Sequence, residues 1–143
     1  KRCDIKSINL LAPVIAKQKA NDSNATEAWL VDDNGFITEG SSSSAWILDK
    51  NETLITASLK NNILPGITRQ SLIKGLIKRK VKFKEKSFNI NDIKNAKEAF
   101  ITSATTFVTP VIKVDNIKIG KGKPGKFVPV FFDIYRKSIN LAG

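Results

Sequence analysis

The sequence has 143 residues, 41% of them apolar and eight of them phenylalanine, which is enough for one packed domain. It contains one cysteine and no histidine, which excludes an internal disulfide, the usual zinc and iron ligand sets, and Ser-His-Asp or Cys-His catalysis. We therefore expect no metal. No apolar run is long enough to span a bilayer and no signal-peptide core is present, so we also expect no membrane segment and a cytoplasmic location.

The formal net charge is +11, from 24 Lys and Arg against 13 Asp and Glu. Such a balance is typical of nucleic-acid-binding proteins. The lysines are spread from Lys17 to Lys126, however, and alternate with apolar residues, as in Val81-Lys82-Phe83-Lys84. This pattern indicates solvent-facing sides of helices and strands. We therefore expect no nucleic-acid partner, and a basic nucleic-acid-binding domain is the alternative from a different functional class.

The first part of the chain predicts one helix followed by two hairpins. Apolar residues recur at helical spacing from residue 9 to about residue 19. Runs typical of strands then alternate with turn residues, and Asp33-Asn34-Gly35 is the tightest of the predicted turns. The predicted strands span residues 27–31, 36–38, 45–48 and 53–56.

The second part of the chain mixes helices and strands. A helix is predicted after Pro65-Gly66 and ends near Arg79, and a turn is predicted at Asn116. The other predicted elements are strands at 81–86, 99–102 and 107–114 and helices at 91–96 and 127–139. Because helices and strands do not alternate strictly, we predict an α/β fold of mixed α+β character, with helices packed on a mixed or antiparallel sheet.

Small, polar residues form three segments at predicted strand ends or helix starts. The segments are residues 38–44, 64–69 and 102–106. In the second, Gly66-Ile67-Thr68 opens a helix, so free backbone amides and the helix dipole converge on any anion that binds there. A phosphate would suit that position. Each segment alone is also typical of an ordinary turn or helix cap, so the prediction depends on their occurring together.

These segments, with Arg2-Cys3-Asp4-Ile5-Lys6-Ser7 at the start, resemble the fold-type-IV pyridoxal-phosphate aminotransferases of the D-amino-acid (D-alanine) group. The resemblance extends over essentially all of the chain and includes residues 27–31, 63–69 and 107–111. It implies that residues 1–143 are the C-terminal cofactor-binding domain of an enzyme whose N-terminal domain is absent from this sequence. The implied fold is a mixed sheet forming a partial barrel with packed helices, and the implied full-length enzyme is a homodimer.

The resemblance also implies the roles of individual residues. Lys6 would form the aldimine with pyridoxal phosphate and, once displaced by substrate, would move the proton during transamination. Glu39 would keep the pyridine nitrogen protonated, and Leu64 would press on the ring. The backbone around Gly66 and Ala104 would hold the phosphate. The implied cofactor-binding residues are Lys6, Glu39, Ser42, Ser43, Leu64, Gly66, Ile67, Thr68, Ser103, Ala104 and Thr105.

Two positions depart from the family pattern. The family usually has Asn at the position of Ser44 and Thr at the position of Ala104. The second change removes a hydroxyl from the phosphate site, so we expect weaker cofactor binding. The missing N-terminal domain would complete the phosphate and substrate-carboxylate sites, so activity is expected of the full-length enzyme.

The expected substrates are an amino acid and a 2-oxo acid: D-alanine and 2-oxoglutarate would give pyruvate and D-glutamate. A branched-chain L-amino-acid aminotransferase and an aminodeoxychorismate lyase are the alternatives of the same fold. A homologue that binds cofactor without turnover is a further alternative.

Overall fold

A computed structural model describes residues 11–60 and 63–140 of the chain. Four helices are defined: α1 (Leu11–Asp22), α2 (Ile67–Lys78), α3 (Ile90–Lys94) and α4 (Phe127–Asn140). Nine strands are defined within the same residues: β1 (Trp29–Val31), β2 (Ile37–Gly40), β3 (Ser44–Leu48), β4 (Leu54–Thr56), β5 (Phe83–Glu85), β6 (Glu98–Ser103), β7 (Phe107–Val111), β8 (Lys113–Val114) and β9 (Ile117–Lys118).

Five of these strands form one mixed sheet in the order β5-β4-β3-β6-β7. Strand β4 pairs with β5 in parallel, and the other three pairings are antiparallel. Strands β1 and β2 form a separate hairpin, as do β8 and β9. The predicted mixed sheet with packed helices is confirmed. Over the described residues the sheet is open, with β5 and β7 at its edges, and no closed barrel forms.

Strand β3 is buried along its whole length because both faces of the sheet are covered. Trp46 and Leu48 point to one face and pack with apolar residues of α2 and α4. Ala45 and Ile47 point to the other face, where Phe88 completes a second cluster. A strand covered on both sides needs an uninterrupted apolar run, which explains why residues 45–48 show no polar alternation.

The helices follow from their apolar spacing and their caps. In α4, the buried residues Val128, Phe131, Ile134 and Tyr135 recur on one face. Helix α3 begins at a capping box, in which the Asn89 side chain accepts from the N–H groups of residues 91 and 92 and the residue 92 carboxylate accepts from the Asn89 N–H.

Glu98 accepts hydrogen bonds from the free backbone N–H groups at the start of α4. Its buried carboxylate accepts hydrogen bonds from the backbone N–H groups of Phe127 and Val128, at 3.0 and 2.9 Å. Gly125 leaves room for this carboxylate, because a Cβ at Gly125 would lie 2.1 Å from Glu98 Oε1. A side chain from the sheet thus caps a helix that covers the same sheet.

One predicted element needs correction. The strand predicted at 107–114 is interrupted at Ile112, whose carbonyl accepts from the Ile119 N–H at 2.9 Å, and the chain then forms the β8–β9 hairpin. Strand β9 was not predicted, because only the turn at Asn116 was visible in the sequence. The helix predicted at 9–19 forms as α1, and its apolar face is exposed over the described residues, with Leu11 68% exposed.

No helix in the described parts of the chain is both long and apolar enough to cross a membrane. Within residues 11–60 and 63–140, no group of three His, Cys, Asp or Glu side chains is placed to hold a metal ion.

Glu98→Gln in the full-length protein should lower the free energy of unfolding by about 2 kcal/mol, because it removes the charge and one acceptor oxygen from the start of α4. Urea unfolding measures the change. Glu52→Gln is the control. It removes only an exposed ion pair with Lys97 and should change the free energy of unfolding far less than Glu98→Gln does. Equal losses in the two variants would contradict the capping role of Glu98.

Candidate active site

The turn between β2 and β3 is closed by its own backbone and by Glu27. The Gly40 N–H donates to the Ser43 carbonyl at 2.7 Å. The Glu27 carboxylate accepts from the hydroxyl groups of Ser41, Ser42 and Ser43, at 3.0 Å for Ser42 and 2.8 Å for Ser43. The side chains of Ser41, Ser42 and Ser43 therefore all donate to one carboxylate. The predicted cofactor contacts of Ser42 and Ser43 stay predictions.

Sequence reasoning did not identify Glu27 as a site residue, although it lies in the predicted strand 27–31. The β1–β2 hairpin brings it back beside the serine turn, since Trp29 pairs with Gly40 and the Ser41 N–H donates to the Ala28 carbonyl at 2.8 Å. The tight turn at residues 33–35, with a strand on each side, was the available signal. Extending that register would have placed Glu27 near Ser41.

Glu39 lies on β2 with its carboxylate partly buried. Its Oε2 accepts from the backbone N–H of Leu64 at 3.3 Å, and this is its one hydrogen bond within the described residues. Burial raises the pKa of Glu39 to about 7, and the Leu64 N–H offsets part of that rise. A carboxylate in such a setting is stabilised by a cationic hydrogen-bond donor.

Helix α2 begins at Gly66, and no side chain in the described part of the structure caps it. Ile67, the first helical residue, is 79% exposed. The Thr68 hydroxyl donates to the carbonyl of Ser103 at 2.9 Å. This bond joins the start of α2 to the end of β6, so the amides at the helix start lie beside the β6–β7 turn.

Ser103 shapes the β6–β7 turn, which contains the exposed residues Ala104 and Thr105. Its hydroxyl is 2.7 Å from the Thr106 hydroxyl and accepts from the Thr106 N–H at 3.0 Å. Phe107 closes the turn with a φ of 60°, a left-handed conformation that bulky residues rarely adopt. Its ring stacks on Tyr135 of α4 with a centroid distance of 5.6 Å, so the turn is fixed to the helix layer.

The three segments predicted from the sequence thus meet at one edge of the fold. Glu39 contacts the Leu64 amide, the Gly66 N–H donates to the Leu64 carbonyl at 2.9 Å, and Thr68 contacts Ser103. Gly66 also lies against the start of β3, since a Cβ there would be 3.4 Å from the Ser44 Oγ. Lys6 lies outside the described residues.

Arg69, the last residue of the 64–69 segment, is buried between α2 and the sheet. It is 2% exposed and donates to the Ala57 carbonyl at 2.9 Å and to Glu85 at 2.6 Å. Its guanidinium lies over the Trp46 ring, 6.0 Å from the centroid. Arg69 therefore anchors the first turn of α2 to the sheet.

Comparison with known proteins gives the same family by sequence and by structure. Residues 1–114 match the family described as amino-transferase class IV. A D-alanine aminotransferase of Listeria monocytogenes is 38% identical over 141 residues, covering 99% of this chain and 48% of that protein. This chain spans about half the length of the curated relatives it matches.

Two solved structures illustrate the structural likeness. A branched-chain amino acid aminotransferase from Escherichia coli has a TM-score of 0.80 and 28% identity, covering 93% of this chain and 44% of that one. A hypothetical aminotransferase of Mycobacterium tuberculosis in its PLP-bound form has a TM-score of 0.88, covering 99% of this chain and 49% of that one. At 18% identity, the second likeness shows the fold alone.

The raised pKa of Glu39 predicts a pH-dependent contribution to stability in the cofactor-free, full-length protein. The folded protein holds this proton more tightly than the unfolded chain, whose ordinary value is 4.5. The contribution is therefore fully present below pH 4.5 and is lost as the pH rises through about 7. Glu39→Gln, which cannot ionise, should gain stability relative to the native protein between about pH 5 and about pH 8.

Urea unfolding of the native protein and of Glu39→Gln, at about pH 5 and about pH 8, measures this difference in stability. Glu52→Gln is the control. The hydrogen bond and charge of Lys97 lower the pKa of Glu52, so its contribution is lost on acidification instead. A difference between Glu39→Gln and native protein that stays constant over this range would contradict the burial of Glu39.

Proposed function

This chain belongs to the class IV aminotransferase family, and from that premise we propose that it is the C-terminal, cofactor-binding half of a pyridoxal-phosphate-dependent D-amino-acid aminotransferase. The observation that carries the proposal is the convergence of Glu39, the start of α2 and the β6–β7 turn at one edge of the fold. A partly buried carboxylate and a cluster of backbone amides are the groups that a protonated ring nitrogen and a phosphate require.

The residues present fit the cofactor. Among residues 11–60 and 63–140, no side chain caps the amides at the start of α2, and these amides can donate to a phosphate together with amides of the Ser103–Thr105 turn. The absence of a side chain at Gly66 keeps the space next to Ser44 open. Ala104 offers its backbone N–H but no hydroxyl, so we expect weaker phosphate binding than with Thr at this position.

Bound pyridoxal phosphate supplies an electron-withdrawing ring that makes the exchange of amino groups possible. Glu39 would accept the hydrogen bond of the protonated ring nitrogen, and that cation would return its carboxylate to the ionised form. Leu64, whose amide already holds Glu39, would pack against the ring. Lys6 would bond covalently to the cofactor and, when displaced by substrate, would carry the proton to and from the substrate α-carbon.

The proposed substrates are D-alanine and 2-oxoglutarate, because the curated Listeria monocytogenes relative is a D-alanine aminotransferase. A branched-chain aminotransferase is the second candidate, favoured by the structural likeness to the Escherichia coli enzyme. A cytoplasmic homodimer is the proposed form of the full-length enzyme. The proposal assigns no metal and no nucleic acid to the site.

Lys6→Ala in the full-length protein should abolish transamination and the visible absorbance band that forms when pyridoxal phosphate is added, because no other residue would bond to the cofactor. Absorbance spectra and an assay of pyruvate formed from D-alanine and 2-oxoglutarate measure the two effects. Lys19→Ala is the matched control, since Lys19 is an exposed lysine of α1, and it should retain both.

A band that persists unchanged in Lys6→Ala would contradict the proposed role of Lys6. Native protein that transaminates L-leucine but not D-alanine would replace the proposed substrate with the branched-chain alternative. Native protein that forms no band at all would overturn the enzyme assignment.

A further inference from the structure

Glu27 is an almost fully buried carboxylate at the centre of a hydrogen-bond cluster. Its side chain is 9% exposed. Besides the three serine hydroxyls, its oxygens accept from the backbone N–H groups of Ala28 and Ser42, at 3.0 and 3.3 Å. Burial alone would raise its pKa, but the bonds from Ser41, Ser43, Ala28 and Ser42 together lower it. Glu27 is therefore an ionised group surrounded by donors.

The donors of this cluster belong to the turn that directly follows Glu39. Gly40 connects Glu39 to the serines, and its surroundings leave no room for a side chain. A Cβ at Gly40 would lie 2.1 Å from the Ser43 Oγ and 3.2 Å from the Glu27 Cδ. The backbone next to Glu39 is thus in close contact with the Glu27 carboxylate, and a shift of that carboxylate must move the turn.

Glu27 also contacts helix α1. The Lys17 Nζ is 3.9 Å from Glu27 Oε1, and the same Nζ donates to the Thr26 carbonyl. Helix α1 is described from Leu11, so Lys17 lies on the first described element after Lys6 in the chain. The Glu27 carboxylate therefore contacts two elements, the turn after Glu39 and helix α1.

We propose that Glu27 is a positioning residue for the active site: it fixes the Ser41–Ser43 turn, and with it the carboxylate of Glu39, relative to helix α1. The inference rests on the proposed function, because it assigns Glu39 to the bound ring. Glu27 itself would not touch the cofactor. It would act by holding a turn whose three hydroxyl groups have a common acceptor, so its loss would free several donors at once.

Glu27→Gln in the full-length protein tests the proposal with two readouts. In the cofactor-free protein, hydrogen exchange at the amides of residues 40–44 should accelerate by about tenfold or more, because the turn loses its ionic acceptor. In a titration with pyridoxal phosphate, the affinity should fall by about tenfold and the visible band should shift, because Glu39 is no longer held toward the ring. Ser43→Ala, which removes one donor only, should shift both readouts less and in the same direction.

Glu98→Gln is the matched control, because Glu98 is also a buried carboxylate that accepts backbone N–H groups but lies at the start of α4. It should accelerate exchange at Phe127 and Val128 and leave the affinity and the band unchanged.

Unaltered exchange at residues 40–44 in Glu27→Gln would overturn the proposal. So would faster exchange with native affinity and an unshifted band, since Glu27 would then support the turn without positioning the site. If native protein forms no Lys6-dependent band, the proposed function fails, and the exchange result alone decides whether Glu27 holds the turn after Glu39.

Discussion

The covering of β3 on both faces is the constraint on which the rest of the structure depends. Because every residue of β3 is buried, a slip of one residue would exchange the two apolar clusters, so its register is fixed. Its first residue, Ser44, pairs with Thr102 and lies close to Gly66. The turn after Glu39, the start of α2 and the end of β6 therefore meet where β3 begins.

Two carboxylates near that point have opposite environments. Burial would raise the pKa of Glu27, but its several hydrogen-bond donors together lower it. Burial raises the pKa of Glu39 to about 7, and the single backbone amide that contacts it in the described structure offsets only part of that rise. The first arrangement is typical of a structural anion and the second of a group that a ligand completes. The number of hydrogen-bond donors around each carboxylate, and not its burial, thus distinguishes a positioning residue from a binding one.

Much of this organisation could be predicted from the sequence because it depends on local patterns. Apolar spacing predicted α2 and α4, and the small residues around Gly66 and Ser103 indicated the segments that meet. The β8–β9 hairpin could not be predicted, since two-residue strands carry almost no periodicity. Glu27 was missed because its importance comes from side chains across a hairpin, and the exposure of Leu11 on α1 depends on tertiary contacts that helical spacing does not specify.

We propose that Glu39 binds the ring nitrogen of pyridoxal phosphate. The most direct measurement is the nitrogen-15 NMR shift of ring-labelled cofactor bound to the full-length protein, compared with its Glu39→Gln variant. We expect a protonated ring nitrogen in the native protein and an unprotonated one in the variant, because a carboxylate stabilises the pyridinium and an amide does not. The same protonation state in both proteins would contradict it.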